Sequence, residues 1–297
     1  MLRQRNICCA ILTRGYKATQ NSKLKTQNYS DEPAILTESC PEARVIVNPD
    51  RVAGAAVAVD EFSAKVLIMD DGFQHRRLGR DLDIVTIDAT CPFGYGKIFP
   101  AGLLREPIAA LKRADAVVIT RCGQQGEAEL SQLEEKLQQV NPDMIIARSL
   151  HAPVCVKSIG NKEISIEELK GKKIFAFCGI GNPNAFLNTI RGLGCRRQRT
   201  YVPIRHNLVG SKIYNDHYHY TDDCLADIYE QAGRLGADLI LTTQKDWTKI
   251  IADCQSSIAN CQDILWAYLA IELKFIAGED KLKQLIESAL AGKIPEN

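Results

Sequence analysis

Short apolar runs bounded by polar turns alternate along this chain with stretches of helical character. In the first half, the runs at 7–13, 43–47, Val66–Met69, Ile84–Asp88, Ala116–Thr120 and 145–149 read as strands. Helices are expected between them at 32–40, over the Ala-rich 50–62, and over the polar 126–140, while 17–30 reads as a loop rich in Asn, Gln, Lys and Ser. Strands separated by helices argue a parallel, doubly wound sheet. The four residues Val66–Met69 have no polar break, which suits a strand buried on both faces.

From about residue 151 to 166, with a strand-like piece at 154–158, the chain reads as a connection. A fresh α/β set follows. Its strands are expected at 174–178, 199–203, 239–242 and 265–270, and its helices at 182–193, 221–235 and 280–290. Thr221 is placed to cap the second helix ahead of Asp222 and Asp223. The pattern therefore gives two Rossmann-like α/β domains, 1–150 and 151–297, joined near 148–170. A site is expected in the cleft between them, with Val66–Met69 paired to the strand at 7–13 or to the one at 117–120.

The densest chemistry follows Val66–Met69. Asp70 and Asp71 end the run, Gly72 turns the chain, and Gln74, His75, Arg76 and Arg77 follow at once. Open α/β sheets hold ligands beyond the carboxyl ends of their strands. Paired carboxylates there, with cations close behind, look like a Mg²⁺ and phosphate site of the Walker-B kind. A solvated Asp-Gly turn is the plainer alternative. The turn Gly179-Ile180-Gly181 ahead of Asn182-Pro183 opens a helix whose N-terminus suits an anion or serves as a tight turn only. His217 and His219, two residues apart on an extended segment, form a second metal-pair alternative.

Composition adds limits. The 297 residues are 45% hydrophobic and 25% charged, the values of an ordinary globular protein, and the net charge of +1 gives no global drive toward nucleic acid. Eleven scattered cysteines without a Cys-x-x-Cys spacing read as reduced thiols rather than a zinc site. No apolar run reaches the roughly 18–20 residues of a membrane span. The basic, acid-free first 25 residues would also suit a transit peptide, which keeps an organelle as an alternative compartment.

Beyond these readings, Asp70-Asp71-Gly72-Phe73-Gln74-His75-Arg76-Arg77-Leu78, then Arg80-Asp81-Leu82-Asp83, resembles the signature of the tetraacyldisaccharide 4′-kinases, the lipid A kinases. Further matches keep the family's order: Thr13-Arg14-Gly15-Tyr16, Asp31-Glu32-Pro33, Asp50-Arg51-Val52-Ala53, Pro100-Ala101-Gly102 with Leu104-Arg105-Glu106-Pro107, and Lys112-Arg113-Ala114-Asp115. Then come Gly179-Ile180-Gly181-Asn182-Pro183, Asp216-His217 with Tyr220-Thr221, and Thr242-Thr243 with Lys245-Asp246. Ser30 replaces a usual Gly, and Leu103 a common Pro.

The resemblance implies transfer of the ATP γ-phosphate to the 4′-hydroxyl of a tetraacyldisaccharide 1-phosphate, with ATP and Mg²⁺ required. It implies a catalytic pair of Asp31 and His217, with Asp71 beside the reacting groups, and a Mg²⁺ set of Asp70, Asp71 and Glu106. Arg14, Glu32, Gln74, His75, Arg76, Arg77 and Arg105 are then the substrate- and phosphate-binding candidates. It further implies a monomer in peripheral contact with the cytoplasmic face of an inner membrane, with no nucleic-acid partner.

Two family features are missing from these residues. Gly96-Lys97, Gly171-Lys172 and Gly292-Lys293 are followed by Ile98, Lys173 and Ile294, so none completes the phosphate-loop string Gly-x-x-x-x-Gly-Lys-Ser/Thr. The family's membrane-associating segment is likewise not found. The first residues read as the end of the helix that follows such a loop, which predicts a P-loop-kinase-like first domain without its first strand. Two alternatives accompany the kinase reading: an inactive homologue kept as a binding or regulatory module, and an unrelated nucleotide-dependent α/β enzyme.

Overall fold

The computed structural model describes residues 2, 5–15, 31–193, 207–259 and 263–291. In chain order the elements are β1 (Cys9–Thr13), α1 (Asp31–Ser39), β2 (Arg44–Val47), α2 (Arg51–Asp60), β3 (Val66–Met69), β4 (Ile84–Asp88), β5 (Ala116–Thr120), α3 (Glu127–Val140) and β6 (Ile145–Ser158). They continue as β7 (Glu163–Ser165), β8 (Lys173–Cys178), α4 (Pro183–Gly192), β9 (Asn207–Ile213), α5 (Asp222–Arg234), β10 (Leu239–Thr243), α6 (Gln244–Ala259), β11 (Leu265–Ala277) and α7 (Glu279–Ala291). Both halves are α/β, as the alternating pattern predicts. The expected loop at 17–30 and strand at 199–203 lie outside the described residues.

The described chain forms two compact units. The first holds 5–15, 36–152 and 273–291, and the second 31–35, 153–193, 207–259 and 263–272. The boundary between the units lies at Ala152 and Pro153. The tail from Leu273 belongs with the first unit, however, where the sequence division gave all of 151–297 to the second. The reason is burial: Leu282 of α7, with Phe275, Leu285 and Ile286 beside it, packs on Ala116, Val118 and Ala147. These residues form one face of β5 and β6, and without the tail that apolar face would meet water.

In the first unit, β1 lies between β2 and β3, parallel to both. Ala10 and Leu12 of β1 pack under Ala55 and Ala58 of α2, whose small side chains let helix and sheet approach closely. β3 is therefore an edge strand. Ile68 is 44% exposed, which corrects the expectation that Val66–Met69 is buried on both faces. A second parallel set, β4, β5 and the start of β6, carries Ile87, Val117 and Ile119 against Leu130, Leu133 and Leu137 of α3. Those leucines recur at three- and four-residue spacing, which gives the otherwise polar helix its one buried stripe.

In the second unit, β11, β10, β8 and β9 run parallel in that order, and β7 pairs antiparallel with β6. One sheet face packs Phe177, Ile240 and Trp266 against Leu225 and Ile228 of α5 and Trp247 and Ile250 of α6. The other packs Ile174, Ala176 and Leu241 against Phe186, Leu187 and Ile190 of α4. Covered on both faces, β8 and β10 are continuous apolar runs. Asn182 and Thr221 cap α4 and α5 through Ala185 N–H and Cys224 N–H.

Candidate functional site

The family-like strings gather at the carboxyl ends of parallel strands in each unit. In the first, β1 ends at Thr13 and β3 at Met69, so Thr13, Arg14, Asp70 and Asp71 emerge side by side. The Thr13 hydroxyl donates to Asp70 Oδ2 at 3.4 Å, and the Asp70 N–H donates to the Leu12 carbonyl at 3.0 Å. Asp71 has a left-handed backbone (φ 48°) and forms an ion pair with Arg105. A non-glycine residue held there marks a chain bent away from its strand against a local cost.

Beneath them lies Arg51, a buried guanidinium to which the sequence reading gave no role. Its Nη2 donates to the Asp70 carbonyl at 3.3 Å and its Nη1 to the Asn48 carbonyl at 3.2 Å. Burial pulls its pKa down while the Asp70 charge opposes the change. Asp50 caps α2 through the N–H groups of Val52 and Ala53, at 2.9 and 3.3 Å, and those bonds hold its carboxyl below the usual carboxylate range. The sequence signal for Arg51 was its place in the family-like string Asp50-Arg51-Val52-Ala53.

The other first-unit candidates are arranged less uniformly. Arg14, Gln74, Arg76 and Arg77 are exposed. His75 is half-buried, and its buried Nδ1 has no hydrogen-bond partner among the described residues. Glu106 bonds Arg113 at 2.8 Å, and that guanidinium also stacks over Phe73, 4.5 Å from the ring centre. Asp70, Asp71 and Glu106 are thus not brought into one ligand set: among the described residues no group of three His, Cys, Asp or Glu side chains is placed to hold a metal ion. The same observation leaves the pairing of His217 with His219 without a third ligand. Asp70 and Asp71 still suit Mg²⁺, which takes one or two carboxylates and fills its remaining positions with phosphate and water.

In the second unit three strings meet. Gly179 follows β8, Asp216 and His217 follow β9, and Lys245 and Asp246 follow β10. Asp246 is fully buried; its Oδ2 accepts from Gly179 N–H at 3.0 Å and from the Thr243 hydroxyl at 2.7 Å. The Gly179 carbonyl in turn accepts from His217 N–H at 3.2 Å. A Cβ at Gly179 would stand 3.1 Å from the Asn215 oxygen, Tyr218 Cβ and the Tyr220 hydroxyl, so any side chain there would press on its neighbours. Burial, with the Asp246 charge added, pushes the Tyr220 phenol far above its ordinary pKa.

His217 is exposed with a left-handed backbone (φ 59°), which turns its ring out of the strand line. Lys245 Nζ lies 3.0 Å from Asp216 Oδ1 and 3.4 Å from His217 Nε2. Burial works to raise the Asp216 carboxyl, but the Lys245 hydrogen bond and charge outweigh it and lower its pKa. Asp31 opens α1, Glu32 beside it is exposed, and Pro33 is buried. The Asp31 side chain lies outside the described part, as does Ser30.

Against this geometry, three comparisons agree. The family model for tetraacyldisaccharide-1-P 4′-kinase matches residues 1–291. A tetraacyldisaccharide 4′-kinase of Anaeromyxobacter sp. strain Fw109-5 is 34% identical over 95% of this chain and 74% of its own length. Another, from Halothermothrix orenii, is 33% identical over 75% of this chain and 58% of its own length. The crystal structure of LpxK from Aquifex aeolicus in complex with ATP superposes with a TM-score of 0.65 at 26% identity, covering 96% of this chain and 80% of that one. The chain belongs to the tetraacyldisaccharide-1-P 4′-kinase family.

Proposed function

We propose that this member of the family serves phosphoryl transfer from ATP to the 4′-hydroxyl of a tetraacyldisaccharide 1-phosphate, a step of lipid A synthesis. The single observation that carries the reading is the placement of the family strings at carboxyl strand ends, with Asp70 and Asp71 side by side after β3. Loose phosphoryl-transfer transition states need positioning and charge neutralisation more than covalent chemistry. Asp70 and Asp71 are the residues that would hold Mg²⁺, which when bound supplies charge neutralisation on the transferring phosphate. Arg51 supports the Asp70 backbone from below. Arg14, Arg76, Arg77 and Arg105 offer guanidinium forks to phosphate oxygens.

His217 is the base for the acceptor hydroxyl in this reading, and Asp31 its partner. An imidazole is neutral and able to accept a proton near neutral pH. Glu106, turned to Arg113, supports the cation that stacks on Phe73 and keeps the segment after Gly72 in place. Glu32, Gln74 and His75 contact the sugar or its phosphate. The enzyme works as a peripheral protein at a membrane surface; among the described residues no helix is long and apolar enough to cross one. Phosphate-loop donors are not supplied by the 297 residues, which contain no Gly-x-x-x-x-Gly-Lys-Ser/Thr string. The test is positional: phosphorus and proton NMR of the product must place the new phosphate on the 4′-oxygen, and any other position sinks the reading.

A further inference from the structure

The first unit carries a loop built to show apolar side chains to its surroundings. Between β4 and β5, Tyr95 is 79% exposed, Phe99 75% and Leu103 64%, and Ile98 is exposed beside them. This is no unravelled segment. Leu103 N–H donates to the Gly94 carbonyl at 2.9 Å, Leu104 N–H to Lys97 at 3.1 Å, and Phe99 N–H to Leu104 at 2.8 Å. Gly102 is buried so tightly that a Cβ would strike the Lys97 and Gly94 carbonyl oxygens. At its base, Phe93 packs against the core of β4, β5 and α3. The backbone is thus fixed from within while, among the described residues, nothing covers the large side chains at its tip, the reverse of what burial favours.

Charge decides what fits. From Ala89 through Arg105 the chain has no acidic residue, and its two charges are Lys97 and Arg105. An apolar tip with only positive charge matches the interface of an anionic bilayer, where aromatic rings settle at headgroup depth and cations meet lipid phosphates. The loop's end also reaches the proposed site directly, since Arg105 pairs with Asp71.

We propose that residues 95–103 form a membrane-docking loop that inserts Tyr95, Ile98, Phe99 and Leu103 into an anionic lipid surface. A substrate whose acyl chains stay in the bilayer is then met by the strand end bearing Asp70 and Asp71. That purpose rests on the lipid-kinase reading; the docking itself does not.

Vesicle flotation with the full chain tests it, using phosphatidylcholine vesicles with and without phosphatidylglycerol. The wild-type chain floats with the anionic vesicles. Tyr95→Ser, Phe99→Ser and Leu103→Ser combined lower the partition coefficient by about tenfold or more, since each removes apolar area from the inserted tip. Lys97→Glu weakens binding to the anionic vesicles alone. All variants keep the wild-type melting midpoint, because the altered side chains face outward. The proposal is overturned if the triple variant floats like wild type, if the wild-type chain does not float, or if the substitutions only convert a dimer to a monomer. Flotation through this loop by a chain that phosphorylates no lipid acceptor even when joined behind a phosphate-loop segment of the family would leave the docking site standing and remove the kinase reading.

Discussion

Lys245 holds its ammonium 3.4 Å from Nε2 of His217 and 3.0 Å from Oδ1 of Asp216. An ammonium only donates hydrogen bonds, so this contact is favourable only when Nε2 carries a lone pair. The expected tautomer of neutral His217 therefore has its proton on Nδ1. Nitrogen-15 NMR of histidine-labelled protein reads this directly: an unprotonated Nε2 signal in the wild type, and tautomer mixing in Lys245→Met. A protonated Nε2 in the neutral wild-type ring would contradict it.

Asp216 belongs to the same cluster, and its lowered pKa fixes a sign for pH dependence. A carboxyl that titrates lower in the folded state stabilises above its ordinary value, and the contribution is lost as pH falls through the lowered one. Asp216→Asn should therefore reduce stability at neutral pH and converge on wild type in acid. Urea melts at pH 7 and at acid pH check it; a constant gap between the two proteins at both would exclude the linkage.

Asp246 anchors the loop from within. Replacing it with Ala strips the buried Gly179 N–H of its acceptor and removes the carboxylate 3.8 Å from Lys249 Nζ. A buried polar group left without a partner costs about 1–3 kcal/mol. A loss in that range or above is expected in chemical denaturation, with Asp246→Asn milder. A change below about 0.5 kcal/mol, the scale of plain surface substitutions, would show that the network is not holding the loop.

The thiols give an independent check on the second unit. Burial, reinforced by Asp246, pushes Cys178 up to about 12, whereas hydrogen bonds from Thr221 and Tyr218 lower Cys224. Thiolate is the reactive form. Iodoacetamide at mildly alkaline pH should thus alkylate Cys224 early and leave Cys178 unmodified until the protein unfolds, as followed by peptide mass spectrometry. Early labelling of Cys178 in the folded chain would contradict its packing.

Much of this architecture was readable in advance, and the exceptions have physical causes. The buried runs at β1, β5, β8 and β10 announce themselves because both faces meet apolar neighbours. β9 does not: Asn207–Ile213 contains Gly210, which looks like a breaker. A Cβ at Gly210 would come within 2.9 Å of the Phe175 ring, so close packing demands the glycine. β6 was divided in the sequence because Pro153 interrupts it, yet the strand runs from Ile145 to Ser158. α6 (Gln244–Ala259) was not among the expected helices at all. Of the site, Asp70, Asp71 and His217 stood out by residue type and resemblance. Arg51 and the Lys245–His217 contact did not, since they depend on burial and on side chains 28 positions apart.

The central claim is that these residues carry the metal and acceptor side of a lipid kinase. The most direct measurement is turnover of tetraacyldisaccharide 1-phosphate with γ-labelled ATP and Mg²⁺. It compares the 297-residue chain with the same chain joined behind a phosphate-loop segment of the family. The donors of such a loop make charge-assisted bonds worth roughly 1.5–3 kcal/mol each, and several of them together match the roughly 8 kcal/mol of a micromolar ligand. The account predicts weak ATP binding and negligible turnover for the chain alone. It predicts Mg²⁺-dependent turnover once the loop is joined, and loss of kcat with little change in KM in His217→Ala and Asp31→Ala. Full turnover in those two variants, or no transfer to the lipid with the loop present, would contradict it.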